Sequence, residues 1–328
     1  MLNIFVKTIN RSVPILLALI FVCSALSCHS ASAPKQAAIP KYTTYRDIPG
    51  VTEQEINAIS ALQARSASFV YGAIPSTETY YNENGEISGF TALLGEWLTD
   101  LFGIPFEIEF YEWGELLDGL ENGQIDFTGE LTANEERRES YYMTDAIAGR
   151  SLKYMRIAGR TSLTHIAAAR PLRYAFLKGK STCDNVSAQA GAPFDAHFVN
   201  GYPEAYHLLK NQDIDAFIDE GTAEAAFAVY GDVVSGDFYP LIYGPVSLAT
   251  HNLDNEPIIS VVQKALQNDG IHHFTEMYNL GTREYTQYKL FMSLNEEEKA
   301  YIANHPVVNF VAEYDNYPVS FYNTRDRE

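Results

Sequence analysis

A regular alternation of short strand-like runs with amphipathic helices narrows the fold of this chain more than any other feature. From Phe90, the residues Phe90, Leu93, Leu94, Trp97, Leu98, Leu101 and Phe102 follow an i, i+3, i+4, i+7 spacing and stop at Gly103. That spacing gives a helix one apolar stripe, and the glycine supplies its C-terminal turn. Upstream, SFVYGAI has the composition of a strand, and YNENGEISGF holds the Asn84-Gly85 pair that marks a tight turn. Downstream, PFEIEFY alternates as a strand, WGELLDGLENG predicts a helix ending at Gly123, and QIDFTGEL a short buried strand. The order is β-α-β-α-β.

The pattern resumes with strands at LKYMRIAG and LRYAFLKG, a helix around GYPEAYHLLKNQ, the strand IDAFID and a helix GTAEAAFAVYG. PLIYGPVSLAT then returns toward the first block. Alternation of this kind implies a mixed or parallel sheet covered on both faces. Two α/β blocks joined by SLKYMRIAG and YGPVSLAT make two lobes with a double crossover hinge. A ligand would bind in the cleft where strand ends and helix N-termini meet.

Across 328 residues, the chain is long enough for more than one core. Its formal net charge of -19 argues against nucleic acid, which needs clustered Lys and Arg. At the start, Lys7 and Arg11 precede the apolar run VPILLALIFVCSAL and the small residues SCHSASA, the layout of an export signal. Residues 1–33 are therefore expected to be a signal peptide or an N-terminal anchor, with lipoprotein cleavage before Cys28 and cleavage after Ala33 as alternatives. Only Cys183 follows that segment, so no internal disulfide is expected, and no Cys/His spacing suggests a metal. The histidines His165, His197, His207, His272 and His273 are scattered and are expected at the surface.

Residues 34–67 form a leader and a capping helix: TEQEINAISALQA has a Thr52 N-cap with Glu55 three residues on, a capping box. The tail from Leu294 copies this logic, with an acidic helix start, a run beginning Phe-Val, a proline, and Tyr-Asn before a turn. Glu53 corresponds to Glu296, Phe69 to Phe310, and Tyr81-Asn82 to Tyr322-Asn323. Residues 294–328 are thus expected to open a second module, truncated at Glu328.

The series GEISGFTALLGEWLTDLFG, WGELLDGLENGQIDFTGELTANEERRESYYMTD and LLKNQDIDAFIDEG resembles the extracytoplasmic solute-binding protein family 3 over roughly Ser68 to Tyr288. The resemblance implies the amino-acid-binding, type 2 periplasmic-binding-protein or Venus-flytrap fold over 68–293. Lobe 1 would span about 68–155 and 247–293, and lobe 2 about 156–246. The tandem from Leu294 resembles the periplasmic half of flytrap-containing sensor kinases and related signalling proteins.

Carried over residue by residue, the resemblance implies a ligand site. The run Thr132-Ala133-Asn134-Glu135-Glu136-Arg137 matches the family's T-x-T-x-x-R, in which the threonine region and arginine hold an α-carboxylate. A guanidinium can fork two hydrogen bonds onto a carboxylate, although pairing with Glu135, Glu136 or Glu139 is the alternative. Arg138 falls on a variable position. Asp219 matches the aspartate that receives an ammonium group, with helix capping as its alternative. Trp113 matches the aromatic that covers the ligand, and Tyr80 or Tyr81 lies where another is often contributed. Ser181 and Thr182 occupy the second-lobe turn that completes the carboxylate site, or else cap a helix. Three departures stand out: Thr91 replaces an acidic residue, Asn134 replaces Thr or Ser, and Glu130 stands where a small polar residue is usual.

The expectation is therefore an extracytoplasmic, membrane-associated region that binds an amino acid or related amine for a signalling protein. The alternative is the substrate-binding protein of an amino-acid ABC transporter. Catalysis, cofactor and metal are not expected; a dimer of the full-length sensor is compatible with the resemblance.

Overall fold

The computed structural model describes residues 42–305, and beyond them 307, 309, 311, 315–316 and 320–321. The export segment at 1–33, residues 34–41 of the leader, and Phe310, Tyr322 and Asn323 of the repeat lie outside the described residues.

Helix α1 (Glu53–Arg65) opens with the expected capping box: Thr52 accepts from the Glu55 N–H, and the Glu55 carboxylate accepts from the Thr52 N–H. β1 (Phe69–Ala73) follows, then a small hairpin of β2 (Tyr80–Tyr81) and β3 (Ile87–Ser88) around Asn84-Gly85. Helix α2 (Phe90–Phe102) buries Phe90, Leu94, Trp97, Leu98, Leu101 and Phe102 and ends at Gly103 with φ 64°. β4 (Phe106–Phe110), α3 (Trp113–Asn122), β5 (Phe127–Leu131) and α4 (Glu135–Ser140) complete the first run.

β6 (Tyr142–Ile157) is 16 residues long and begins ten residues before the expected LKYMRIAG strand. Its first part, YMTDAIAGRS, carries Gly and Asp, which weaken local strand preference. Pairing with the returning β11 overrides that preference. The second lobe then contains α5 (Leu163–Ala167), β7 (Leu172–Leu177), α6 (Thr182–Gln189), β8 (Phe194–Val199), α7 (Tyr202–Asn211), β9 (Ala216–Glu220), α8 (Glu224–Ala228) and β10 (Val233–Asp237). β11 (Tyr243–Thr250) returns, followed by α9 (Glu256–Ala265), the 23-residue α10 (Ile271–Ser293) and α11 (Glu296–Asn304). A two-residue pair, β12 (Asp315–Asn316) and β13 (Ser320–Phe321), lies beyond.

The main sheet runs in the order β4-β1-β5-β11-β6-β9-β7-β8, with β10 also on β6. β1 is parallel to β4 and β5, and β7 is parallel to β8 and β9. β6 and β11 are the antiparallel crossovers: β6 pairs with β11 from Tyr142 to Ser151, then with β9 from Leu152 onward. The two-lobed architecture with a double crossover is the expected one, and the crossing on β6 falls at Ser151–Leu152.

One apolar core fills lobe 1, with Phe69, Leu98, Phe102, Phe127, Val262 and Phe274 among its members. A second runs across the lobe boundary and joins Trp113, Leu116 and Leu131 to Leu177, Val199 and Phe217. His273 is a correction to the sequence expectation: it is buried against Trp97, and burial lowers its pKa.

Glu55 also ties α1 to α9 by accepting from Lys264 and Ser260. Burial alone would raise its pKa, but the Lys264, Ser260 and Thr52 hydrogen bonds outweigh burial and bring it down to about 2. A carboxylate depressed in the folded state contributes stability above its unfolded pKa and loses it as pH falls through the folded value. Glu55→Gln should therefore destabilise by about 2 kcal/mol at neutral pH and by progressively less from pH 4.5 down to pH 2. Denaturation at a series of pH values measures the difference.

Candidate functional site

Charged residues within otherwise apolar strands build the centre of the molecule. β5 is buried throughout and carries Glu130; β9 is buried throughout and ends Asp219-Glu220. Between them, the crossing strand β6 delivers Arg150. Glu78 comes from the turn after β1, where the Ser76 hydroxyl accepts from the N–H groups of Glu78 and Thr79.

The Arg150 guanidinium donates from Nε and Nη2 to the two oxygens of Glu78, at 3.1 and 2.6 Å. Its Nη1 donates to Glu130 at 2.7 Å and to Glu220 at 2.9 Å. Lys180 Nζ lies 2.6 Å from Asp219 and 3.1 Å from Glu220, and the Tyr202 hydroxyl donates to Asp219 at 3.2 Å. No side chain among these six ionic partners is more than 4% exposed.

Four carboxylates thus face two cations. Burial raises the pKa of Glu130 and of Asp219. Burial pushes Glu220 the same way, but Lys180 and Arg150 on either side hold it below the usual carboxylate value. Burial opposes the charge on Arg150, yet Glu130, Glu78 and Glu220 keep its pKa well above the ordinary one.

The lobes meet around this cluster. Trp113 Nε1, from lobe 1, donates to the Lys178 carbonyl of lobe 2 at 2.8 Å, with Lys180 Nζ 5.4 Å from the Trp113 ring centroid. The Thr77 N–H donates to the Thr222 carbonyl at 2.9 Å.

Arg137 makes a third bridge. Asn134 caps α4 by accepting from the Arg137 N–H, which fixes the side chain at the lobe edge. The guanidinium donates to the Thr132 carbonyl at 3.0 Å and to the Gly179 carbonyl of lobe 2 at 2.8 Å. Burial lowers its pKa, with Tyr141, Glu220 and Glu136 opposing. Among the described residues, no carboxylate forms a salt bridge with it. It lines a polar groove of about 750 Å³ with Asn134, Glu136, Tyr141, Ser181, Asp184 and His251.

The structure therefore separates the residues that sequence grouped together. Arg137 and Ser181 line the polar groove; the Thr132 carbonyl holds Arg137, and Thr182 is buried at the start of α6. Glu130 and Asp219 are inside the ionic cluster, and Trp113 lies against Lys180. Tyr80 packs against Tyr285 and Tyr288 in a different, aromatic groove of about 840 Å³. Arg138 donates to the Met143 and Thr144 carbonyls. Of the family departures, Asn134 is the cap of α4 and Thr91 hydrogen-bonds to Thr79.

Sequence reasoning missed Glu78, Arg150, Lys180, Tyr202 and Glu220. For Glu220 the available signal was an ionisable residue inside a short apolar strand, AFIDE.

The family model for bacterial extracellular solute-binding proteins, family 3, matches residues 69–268, most of the chain. The chain belongs to this family. Its members are extracytoplasmic binding proteins. Among solved structures, the chain is similar to the amino acid ABC transporter substrate-binding protein AbpA from Streptococcus pneumoniae, bound to L-arginine. That likeness has 14% identity, 69% of this chain and 98% of that one covered, and a TM-score of 0.55. It is similar to the B. pertussis BvgS periplasmic domain at 15% identity, 75% and 49% covered, TM-score 0.58. A third likeness is to the ancestral amino acid-binding protein AncCDT-1, a precursor of cyclohexadienyl dehydratase, at 18% identity, 68% and 99% covered, TM-score 0.51. At these identities the likeness is one of fold. Among curated proteins, none matches the chain. No helix among the described residues is long and apolar enough to cross a membrane.

Proposed function

We propose that this family 3 chain is the solute-sensing region of an extracytoplasmic signalling protein, and that an amino-acid-like solute places its carboxylate on Arg137. The observation that carries this reading is the charge balance of Arg137. A half-buried guanidinium has only carbonyl oxygens as hydrogen-bond partners and faces a groove wide enough for a small solute. A carboxylate is the group whose geometry and charge complete it.

In this reading Ser181 offers a hydroxyl from lobe 2, while Glu136 and Asp184 on the rim suit the solute's ammonium group. Asp219 and Glu130 already hold Lys180 and Arg150, so they act behind the solute and not on it. Solute binding can alter the relation of the lobes only through unequal affinity for their arrangements. The signal would pass along α10, whose Tyr285 and Tyr288 pack on Tyr80 of lobe 1 while Lys289 neighbours Glu224 of lobe 2.

The signalling role draws support from the likeness to the BvgS periplasmic domain, of which this chain spans about half. It also draws support from α11, which repeats the capping-box start of α1 with Asn295 and Glu298 immediately after α10. Membrane attachment, through the N-terminal segment or a later helix, and dimerisation belong to this proposal. Delivery of solute to an amino-acid ABC transporter is the second reading, favoured by the coverage of 98% of AbpA.

Thermal melting of the whole chain across amino acids, polyamines and small carboxylates tests the solute class. A rise in melting temperature with an amino-acid-like carboxylate, absent in Arg137→Ala, is expected. No response to any of them would count against direct sensing.

A further inference from the structure

The ionic cluster has the form of an occupied binding site. Its carboxylates converge from both lobes, Glu78 and Glu130 from the first and Glu220 with Asp219 from the second. What they surround is a guanidinium and an ammonium belonging to the chain itself. Arg150 engages four N–H donors of its five, two of them side by side on Glu78. Its backbone sits on the crossing strand, opposite Gly244 of the other crossover, so the cation is anchored at the hinge and reaches into both lobes.

We propose that Arg150 is a built-in ligand of the interlobe site: its guanidinium fills a carboxylate cage formed by both lobes, holds them together without solute, and excludes cationic solutes from that cage. This inference goes beyond the reading of Arg137 and stands or falls separately from it, because the cage and the polar groove are formed by different side chains.

First, a tethered cation needs no translational or rotational freedom to be surrendered at each closure, so it outcompetes a free guanidinium compound at ordinary concentrations. Second, an opening that drew Glu220 away from Arg150 would leave both charges without each other, and a carboxylate that stays buried without its cation is costly. Third, Lys180 reinforces the same closure: it neutralises Asp219 and Glu220 within lobe 2 and rests on Trp113 of lobe 1, whose indole N–H is bonded to the adjoining Lys178 carbonyl.

Small-angle X-ray scattering of the whole chain, with methylguanidinium as probe, decides the matter. The wild type should give a compact profile that millimolar methylguanidinium leaves unchanged. Arg150→Ala should expand, and the probe should return it to the compact profile where urea at the same concentration does not. A wild type that is expanded at rest and contracts on adding the probe would overturn the proposal, as would an Arg150→Ala chain that stays compact. If Arg150→Ala does not fold, Glu220→Gln leaves Glu78 and Glu130 on Arg150 and Asp219 on Lys180, and weakens the lobe 2 contact of Arg150 together with the second contact of Lys180. Expansion of that variant supports the proposal, and an unchanged profile refutes it.

Discussion

Lys180→Met should be among the most destabilised single variants of this chain, losing about 3–5 kcal/mol at neutral pH, because it removes one cation and leaves two buried carboxylates behind. Methionine retains the aliphatic stem, so the packing of Trp113 is disturbed little and the loss is electrostatic. In the native chain Lys180 is the direct partner of Asp219 and shares Glu220 with Arg150. Without it, Asp219 retains only the Tyr202 hydroxyl among its side-chain partners. Asp219, whose pKa burial already raises, then answers the missing charge by taking up a proton at a folded pKa above that of the unfolded chain, while Glu220 keeps Arg150. An acid raised in this way gains stability as pH falls through its folded pKa and loses it as pH rises. The deficit of Lys180→Met relative to wild type should therefore shrink between pH 8 and pH 5. Denaturant unfolding at the two pH values, with Lys180→Met/Asp219→Leu as the partly compensated control, measures this. A pH-independent deficit would mean that the ammonium group is not what stabilises the cluster.

The second large effect is steric. Gly281, in the middle of α10, lies so close to α2 that a Cβ would stand 2.4 Å from the Phe90 nitrogen, 2.8 Å from the Phe90 Cα and 2.9 Å from the Gly89 carbonyl carbon. These are backbone atoms and cannot rotate away. Gly89 cannot yield easily either, because it holds φ 102° and its own Cβ position is 2.5 Å from the Glu78 carbonyl oxygen. Gly281→Val should cost about 3 kcal/mol or more, at the upper end of overpacking penalties, despite valine being the better helix former. The displacement would also reach the ionic centre, since Tyr278, three residues earlier on α10, lies beside Glu78, and burial followed by that carboxylate raises its pKa. Chemical denaturation gives the energy. A loss below about 1 kcal/mol would show that α10 can lift from α2 without consequence.

These two sites also mark where sequence reading stopped. Helix α2, its stop at Gly103, the Thr52–Glu55 capping box and the Asn84-Gly85 hairpin were legible because each is encoded within a few consecutive residues. The two crossovers followed from strand and helix order. Helix α10 was not legible: HHFTEMYNLGTREYTQY is rich in aromatic and β-branched residues, and its interior glycine argues locally against a helix. Its stability comes from the close approach at Gly281 and from Tyr285 and Tyr288 against Tyr80.

The ionic centre was harder still. Arg150 is a single arginine within AGRSL, and its partners lie 72, 20 and 70 residues away in sequence. No local window contains the cluster. Family resemblance pointed to Glu130 and Asp219 but assigned them to a solute, whereas the fold gives them to Arg150 and Lys180. The same resemblance separated Arg137 from Arg138, and the geometry also distinguishes the two: Arg138 is spent on carbonyls at the start of β6, and Arg137 faces the polar groove.

That distinction provides the most direct test. Titration calorimetry of the whole chain with the solute that most raises its melting temperature should be run beside Arg137→Ala and Arg138→Ala. Arg138→Ala should bind like the wild type, while Arg137→Ala should lose about 100-fold in affinity, the value of a forked, charge-assisted pair near 2.7 kcal/mol. Equal binding by Arg137→Ala and the wild type would contradict this and move the solute out of the polar groove.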